Sequence, residues 1–382
     1  MARPVAGRIV PLLFSLVLGA WSEQIEACPF CGVVGESLAM RRDAADIVAI
    51  GAAQGTATPG PDRFLEQAFT IEQMLRGEAP ADVRGRVDGP VIGTAILFGV
   101  SAGDGVRWSA LAANEALLGY AVAAPATSLP AAERLRWFAR WLEHPEPAIA
   151  ADAFTEFGLA PFDAVRAAAD AFDPAMLAAW IGEPGIDARR RGFYGLATGI
   201  VAAHSADDAT RNRLHEALEA AVDAPADDFR AGFDGLLGGL LAAEGAAALD
   251  EFSQLGLFDR SARPVDQRHL LGALRFAWES LGDTIPRERV AEATARLLSS
   301  PAVAADVVID LARYGAWKQV DDVAGLWETL GHDDPLVRRA VAGYLAACPL
   351  PAARSHLEQL RAADPGRLEA ALEAARSPLS RP

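Results

Sequence analysis

The chain has 382 residues, 51% hydrophobic and 23% charged, a balance that suits a folded protein and a length that suits two or three domains, or a repeat array with a small domain. Its 51 acidic side chains against 35 basic ones leave a formal net charge of −16, a field that repels phosphate backbones and argues against general nucleic-acid binding. Arg3 and Arg8 precede an apolar run from Ile9 to Trp21, the charged-then-apolar order of a secretory signal peptide. A comfortable transmembrane helix needs ~20 apolar residues. Residues 1–27 are therefore expected to be a signal peptide cut after Ala20 or Ala27, with an uncleaved anchor as the alternative. No later segment is apolar enough over a sufficient length to span a bilayer. The mature protein is expected to be exported, periplasmic or extracellular, with no stable membrane insertion.

Next comes Cys28-Pro29-Phe30-Cys31. Covalent haem attachment needs a histidine directly after the second cysteine, and Gly32 stands there. Structural zinc needs four ligands, whereas the third cysteine, Cys348, is remote and the six histidines are scattered. Lipidation wants a small residue ahead of Ala27-Cys28, and Glu26 occupies that place. In an oxidising compartment the bland reading is a disulfide, either Cys28 to Cys31 or one of them to Cys348. Cys28 and Cys31 stay disulfide or redox candidates, and no metal or other cofactor is expected. The tetrapeptide is identical to the active site of some glutaredoxins, which implies thiol-disulfide exchange at Cys28 and Cys31. That fold places a strand immediately before the motif, where this chain has its signal segment and the polar Ser22 to Glu26.

Residues 28–125 are expected to form a small β-rich domain. Ile47 to Gly55 is a β-branched apolar run closed by glycine, and Phe69 to Gly77 alternates with period two. Thr94 to Val100 and Val106 to Leu111 flank the turn dipeptide Asp104-Gly105, which predicts a hairpin. Several short strands in this span point to a barrel or sandwich. Cysteines at the mature start, the strand Ala45 to Ala53 and a strand ending at Gly77 are together similar to netrin-like domains. The resemblance implies an OB-type five-stranded barrel. It also implies a metalloproteinase-inhibitor-like role through the α-amino group of Cys28, if cleavage follows Ala27. The chain departs from that family in lacking further barrel cysteines and in having two residues, not one, between its first pair.

From about residue 126 to 375 the period changes to that of helices, with 376–382 expected to be a disordered tail. Leu135, Phe138 and Leu142 share one face, with Trp137 and Trp141 beside them. Prolines 147, 184, 225, 264, 301 and 335 recur every 34 to 41 residues, each taken to open an apolar helix. A period near 40 predicts a helical solenoid. Asp333 to Leu345 resembles the second-helix pattern of HEAT repeats, and Gly185 to Leu196 keeps its Asp–Ala–Arg start. The resemblance implies a HEAT-like α-solenoid in which these aspartates and arginines cap helices and satisfy one another. Barrel, solenoid and CPFC together resemble exported bacterial proteins of uncharacterised activity. The predicted class is thus α+β multidomain: a small OB-like barrel or sandwich, then an all-α HEAT-like solenoid.

Catalytic signals are sparse. There is no nucleophile elbow, phosphate loop or dinucleotide glycine pattern. His215 to Glu219 begins like a metalloprotease helix but lacks its second histidine, and Asp310 with Arg313 reads as an ion pair. Asp152 and Glu156 share a helical face, either as solvated surface or as holders of a cation. Trp137 and Trp141 are candidates for an aromatic groove, and Arg189, Arg190 and Arg191 for a ligand-binding cluster. The expectation is an exported scaffold that binds a protein or peptide on its repeat surface. The alternatives are thiol-disulfide exchange or protease inhibition at the N-terminus.

Overall fold

The computed structural model describes residue 30 and residues 35–60, 64–103, 105–225 and 229–376. Five strands among them close into a barrel in the order β1-β2-β3-β5-β4: β1 (Ile47–Pro59), β2 (Leu65–Arg76), β3 (Asp82–Val87), β4 (Thr94–Ala102) and β5 (Gly105–Ala112). Neighbours are antiparallel except β3 and β5, which meet in parallel at Arg86 and Ser109. This is an OB-like barrel. The expected hairpin is present, with Ala102 paired to Gly105. Period-two alternation sends Ala49, Phe69, Ala95 and Leu97 into the barrel interior. Their neighbours Val48, Ile96 and Phe98 are buried too, on the other face, because helices cover β1 and β4 there.

The covering helix is α1 (Leu38–Ala44). Seven residues cannot hold a helix alone in water, so neighbours hold it. Arg41 lies over the Phe98 ring at 4.7 Å. Arg42 donates to the carbonyls of Ala121 (3.0 Å) and Ala124 (2.6 Å) at the end of α2 (Glu115–Ala123). Asp43 accepts from the Thr127 amide at 2.7 Å. The N-terminal end of α1 is held by α4, described below. One apolar core runs without a break from Val48 and Phe98 through Leu38 and Tyr120 to Leu372.

The remaining helices follow in order: α3 (Ala131–Phe138), α4 (Pro147–Leu159), α5 (Phe162–Ala167), α6 (Pro174–Gly182), α7 (Ala188–His204), α8 (Asp208–Asp223), α9 (Phe233–Glu244), α10 (Ala247–Gln254) and α11 (Pro264–Ser280). Then come α12 (Arg287–Ala295), α13 (Ala304–Tyr314), α14 (Val320–Gly325), α15 (Leu330–Asp333), α16 (Pro335–Ala347), α17 (Pro351–Ala363) and α18 (Pro365–Arg376). Alternate helices pack in rows, α7–α9–α11 and α13–α16–α18, with the others flanking them. Among the described residues no helix is long and apolar enough to cross a membrane.

The prolines behave less uniformly than their spacing suggests. Pro147, Pro264 and Pro335 do open α4, α11 and α16, where a missing amide costs nothing. Pro184, Pro225 and Pro301 instead stand upstream of α7, α9 and α13, in the turns that deliver the chain to those helices. Pro174 and Pro351, outside the series, open α6 and α17. The period therefore marks turns between helices, and aspartates do much of the capping. Asp187 accepts from Arg189 N at 2.9 Å and Asp334 from Leu336 N at 2.8 Å. Arg338 does not pair with Asp334; it donates to the Gly331 and His332 carbonyls of α15.

Asp152 and Glu156 on α4 are neither solvated nor a cation pair: they are 9% and 4% exposed. Asp152 accepts from the Leu38 amide (2.7 Å) and the Tyr120 hydroxyl (2.8 Å). Glu156 accepts from Ser37 Oγ (2.5 Å) and from Arg134. Two carboxylates thus take the amide and capping serine at the start of α1, where helix amides lack partners and favour negative charge. Burial pushes the Asp152 carboxyl above the usual carboxylate range, only partly offset by the Leu38 amide and the Tyr120 hydroxyl.

Candidate functional site

A cavity lies among α6, α7, α8 and α9. Its position follows from glycines. Gly192, Gly195 and Gly199 on α7 face Gly235 and Gly239 on α9. A Cβ on Gly199 would meet the Gly239 carbonyl oxygen at 1.9 Å, and one on Gly235 would meet that of Gly192 at 2.0 Å. The two backbones are therefore in direct contact, as small residues at helical spacing permit. Across this crossing α6 and α8 approach each other with Ala178, Ala217, Ala220 and Ala221, which are too short to fill the gap. A cavity of about 430 Å³ remains, with Ile181, Phe233 and Leu236 also in its walls and Arg191 and Arg230 at its polar edge.

The two arginines differ. Arg230 has a left-handed backbone (φ 42°), unusual for a non-glycine residue. Its guanidinium lies 3.6 Å over the Phe233 ring, 3.4 Å from Asp266, and donates to the Val222 carbonyl. Its charge is already answered. Arg191 donates to the Glu183 carbonyl at 3.1 Å, but its buried Nε has no hydrogen-bond partner among the described residues. Next to Arg230, His269 sets Nε2 against the Phe229 carbonyl (3.0 Å) and Nδ1 at 3.5 Å from Asp234. Burial works against the His269 charge, yet Asp234 and that carbonyl outweigh it and raise its pKa.

The structure separates the residues singled out from sequence. Of the arginine run, only Arg191 lines the cavity. Arg190 pairs with Glu143 at 2.8 Å, and Tyr194 donates to the same carboxylate oxygen at 2.6 Å. Arg189 is exposed, 3.8 Å from Asp187. Trp137 and Trp141 do come together, ring centroids 5.4 Å apart, in a half-buried cluster around Tyr120 at the barrel–helix junction; neither lines the cavity. Cys28 and Cys31 lie outside the described residues. Phe30 between them is 8% exposed, its ring 5.1 Å from that of Phe276 and against Gly238, so this residue is seated on the helical array. Cys348 is buried and unbonded among the described residues.

His215 sits half-buried between the carboxylates of Glu219 (3.3 Å) and Glu244 (2.6 Å). Asp310 does approach Arg313 (3.7 Å), but its shorter partner is Arg275, at 2.6 Å. Among the described residues no group of three or more His, Cys, Asp or Glu is placed to hold a metal. A second, larger cavity of about 710 Å³ is edged by Arg136, Arg166, Asp163 and Asp170, whose charges answer one another: Arg136 with Asp170 at 2.9 Å, Arg166 with Asp163 at 3.0 Å. Sequence reasoning missed Arg230 and the alanine walls. The glycine spacing on α7 and α9 was the available signal that two helices would touch there.

The chain matches no protein-family model, and comparison with curated proteins finds no similar one.

Proposed function

We propose that the protein is an exported, non-enzymatic binding scaffold that holds a protein or peptide partner on its helical array, at the cavity among α6 to α9. The observation that carries this reading is the cavity itself. It is apolar-walled, at the lower end of the size range of ligand pockets, and edged by arginines in a chain of net charge −16. The described lining offers guanidiniums and apolar surface rather than a nucleophile or an acid–base pair, so it is suited to holding a ligand. The HEAT-like character of the array belongs to the same proposal. It is supported by helices packed in alternating rows and by the aspartate caps at Asp187 and Asp334.

The test fills the cavity. Ala220 is exposed on α8 and lines the cavity, so Ala220→Trp adds bulk there without disturbing the core. Immobilised wild-type protein is expected to retain a sequence-related subset from a digest of secreted proteins, and the Ala220→Trp variant to lose it with unchanged thermal unfolding. Retention of the same subset by both would remove the cavity from the account.

A further inference from the structure

The cavity's chemistry narrows what it accepts. Resting on the reading above, we propose that it takes the C-terminal end of a peptide whose last side chain is apolar, with Arg191 receiving the terminal carboxylate.

Three observations converge. First, a guanidinium has five N–H donors in a fork that matches a carboxylate. Arg191 uses one of them on the Glu183 carbonyl, and its Nε is buried without a partner among the described residues. That Nε is shut off from solvent already; a neutral apolar ligand would bury the rest of the guanidinium at the cavity edge without an answering charge, which is costly. The other nearby cations are committed: Arg190 to Glu143, Arg230 to Asp266 and the Val222 carbonyl. Second, the walls are alanine, isoleucine, leucine and phenylalanine. Inorganic phosphate would satisfy Arg191 but leave those walls unused. About 430 Å³ suits a residue or two of extended chain, not a folded domain.

Third, the last turns of α6 and α8 border the cavity through Ile181, Gly182, Ala220 and Ala221. The final carbonyls of a helix have no amide partner four residues on. Apart from the Trp180 and Val222 carbonyls, taken by the Glu183 amide and Arg230, they are left to accept peptide N–H groups, which a fatty acid does not possess. A peptide end carries all three features together: a carboxylate, an apolar side chain and amide donors.

The experiment uses the full chain and isothermal titration with N-acetyl-Ala-Ala-Leu as the free acid, the same peptide as its C-terminal amide, and decanoate. The acid is expected to bind and the amide to bind at least ~10-fold more weakly, since a bidentate charged pair is lost. Arg191→Gln is expected to abolish the acid–amide difference, and Arg191→Lys to keep part of it. Thermal unfolding checks that both variants fold. Equal binding of acid and amide, or discrimination that survives Arg191→Gln, overturns the proposal. So does tighter binding of decanoate than of the peptide, which would make the site one for fatty acids. If none of the three ligands binds while Ala220→Trp still abolishes retention from the digest, this inference fails and the binding function stands. If Ala220→Trp changes nothing, it is the function that fails.

Discussion

Replacing Asp152 with alanine is expected to destabilise the protein by about 3–5 kcal/mol, the cost of removing one partner from a buried charged network. The substitution strands the Leu38 amide and the Tyr120 hydroxyl, both of which now donate to this carboxylate. It also takes away the anion at the start of α1, the helix between barrel and array. Chemical denaturation followed by tryptophan fluorescence reads the loss directly, because Trp137 and Trp141 pack on Tyr120. Asp152→Asn should cost much less, since its amide oxygen can still accept from Leu38. The two variants also differ in pH response. The folded-state pKa of Asp152 is raised, so ionising it costs more in the folded protein than in the unfolded chain: the protonation-linked part of stability is complete below the unfolded value of about 3.9 and is lost as pH rises through the folded value, while the bonds from Leu38 and Tyr120 remain. Wild type should show that decline on the acid side and Asp152→Asn should lack it. A loss below ~1 kcal/mol for Asp152→Ala would mean that α1 is not held through α4.

The second large effect has an inverted sign. Glycine to alanine inside a helix ordinarily stabilises by up to about 1 kcal/mol. At Gly199 and Gly235 it is expected to destabilise by about 3 kcal/mol or more, because the new Cβ meets backbone on the facing helix and neither backbone can turn aside. Gly119 on α2 is the control: it is exposed, with nothing within 4 Å of an added Cβ, and Gly119→Ala should be neutral or stabilising. Thermal unfolding of the three variants separates the readings. If all three shift upward, α7 and α9 do not touch. The Gly235 change should also weaken ligand retention, since Phe233 and Leu236 in the cavity wall lie on the same turn of α9.

Much of this architecture is legible in the sequence for plain reasons. Period-two alternation from Phe69 onward and the Asp104-Gly105 turn mark strands, because a half-buried strand must alternate and a two-stranded turn needs those residues. The change to helical period near residue 130 is equally open. What stayed hidden depends on distance. Asp152 and Glu156 look like ordinary surface carboxylates, and only the arrival of Ser37 and Leu38, more than 110 positions earlier, buries them. The α1 helix is too short to carry a periodic signal, and its reason to be helical lies in its neighbours. The cavity is harder still, since it is made by side chains that fail to fill space, and alanine on a helix face looks the same whether or not something lies opposite. Of the arginine run, nothing local distinguishes Arg191 from Arg190; Glu143, from the segment after α3, makes the difference.

The proposed binding function puts the partner of an exported chain in the α6–α9 cavity rather than on the barrel. Site-specific photo-crosslinking in the producing cell tests it most directly. A benzophenone side chain is placed at Ala220 on the cavity, or at Ile92 on the barrel, which is 93% exposed. Adducts are expected from Ala220 and not from Ile92, carried by chains found outside the cytoplasm whose intact mass lacks the N-terminal signal segment. Adducts from Ile92 alone, or adducts confined to full-length chains inside the cell, would contradict it.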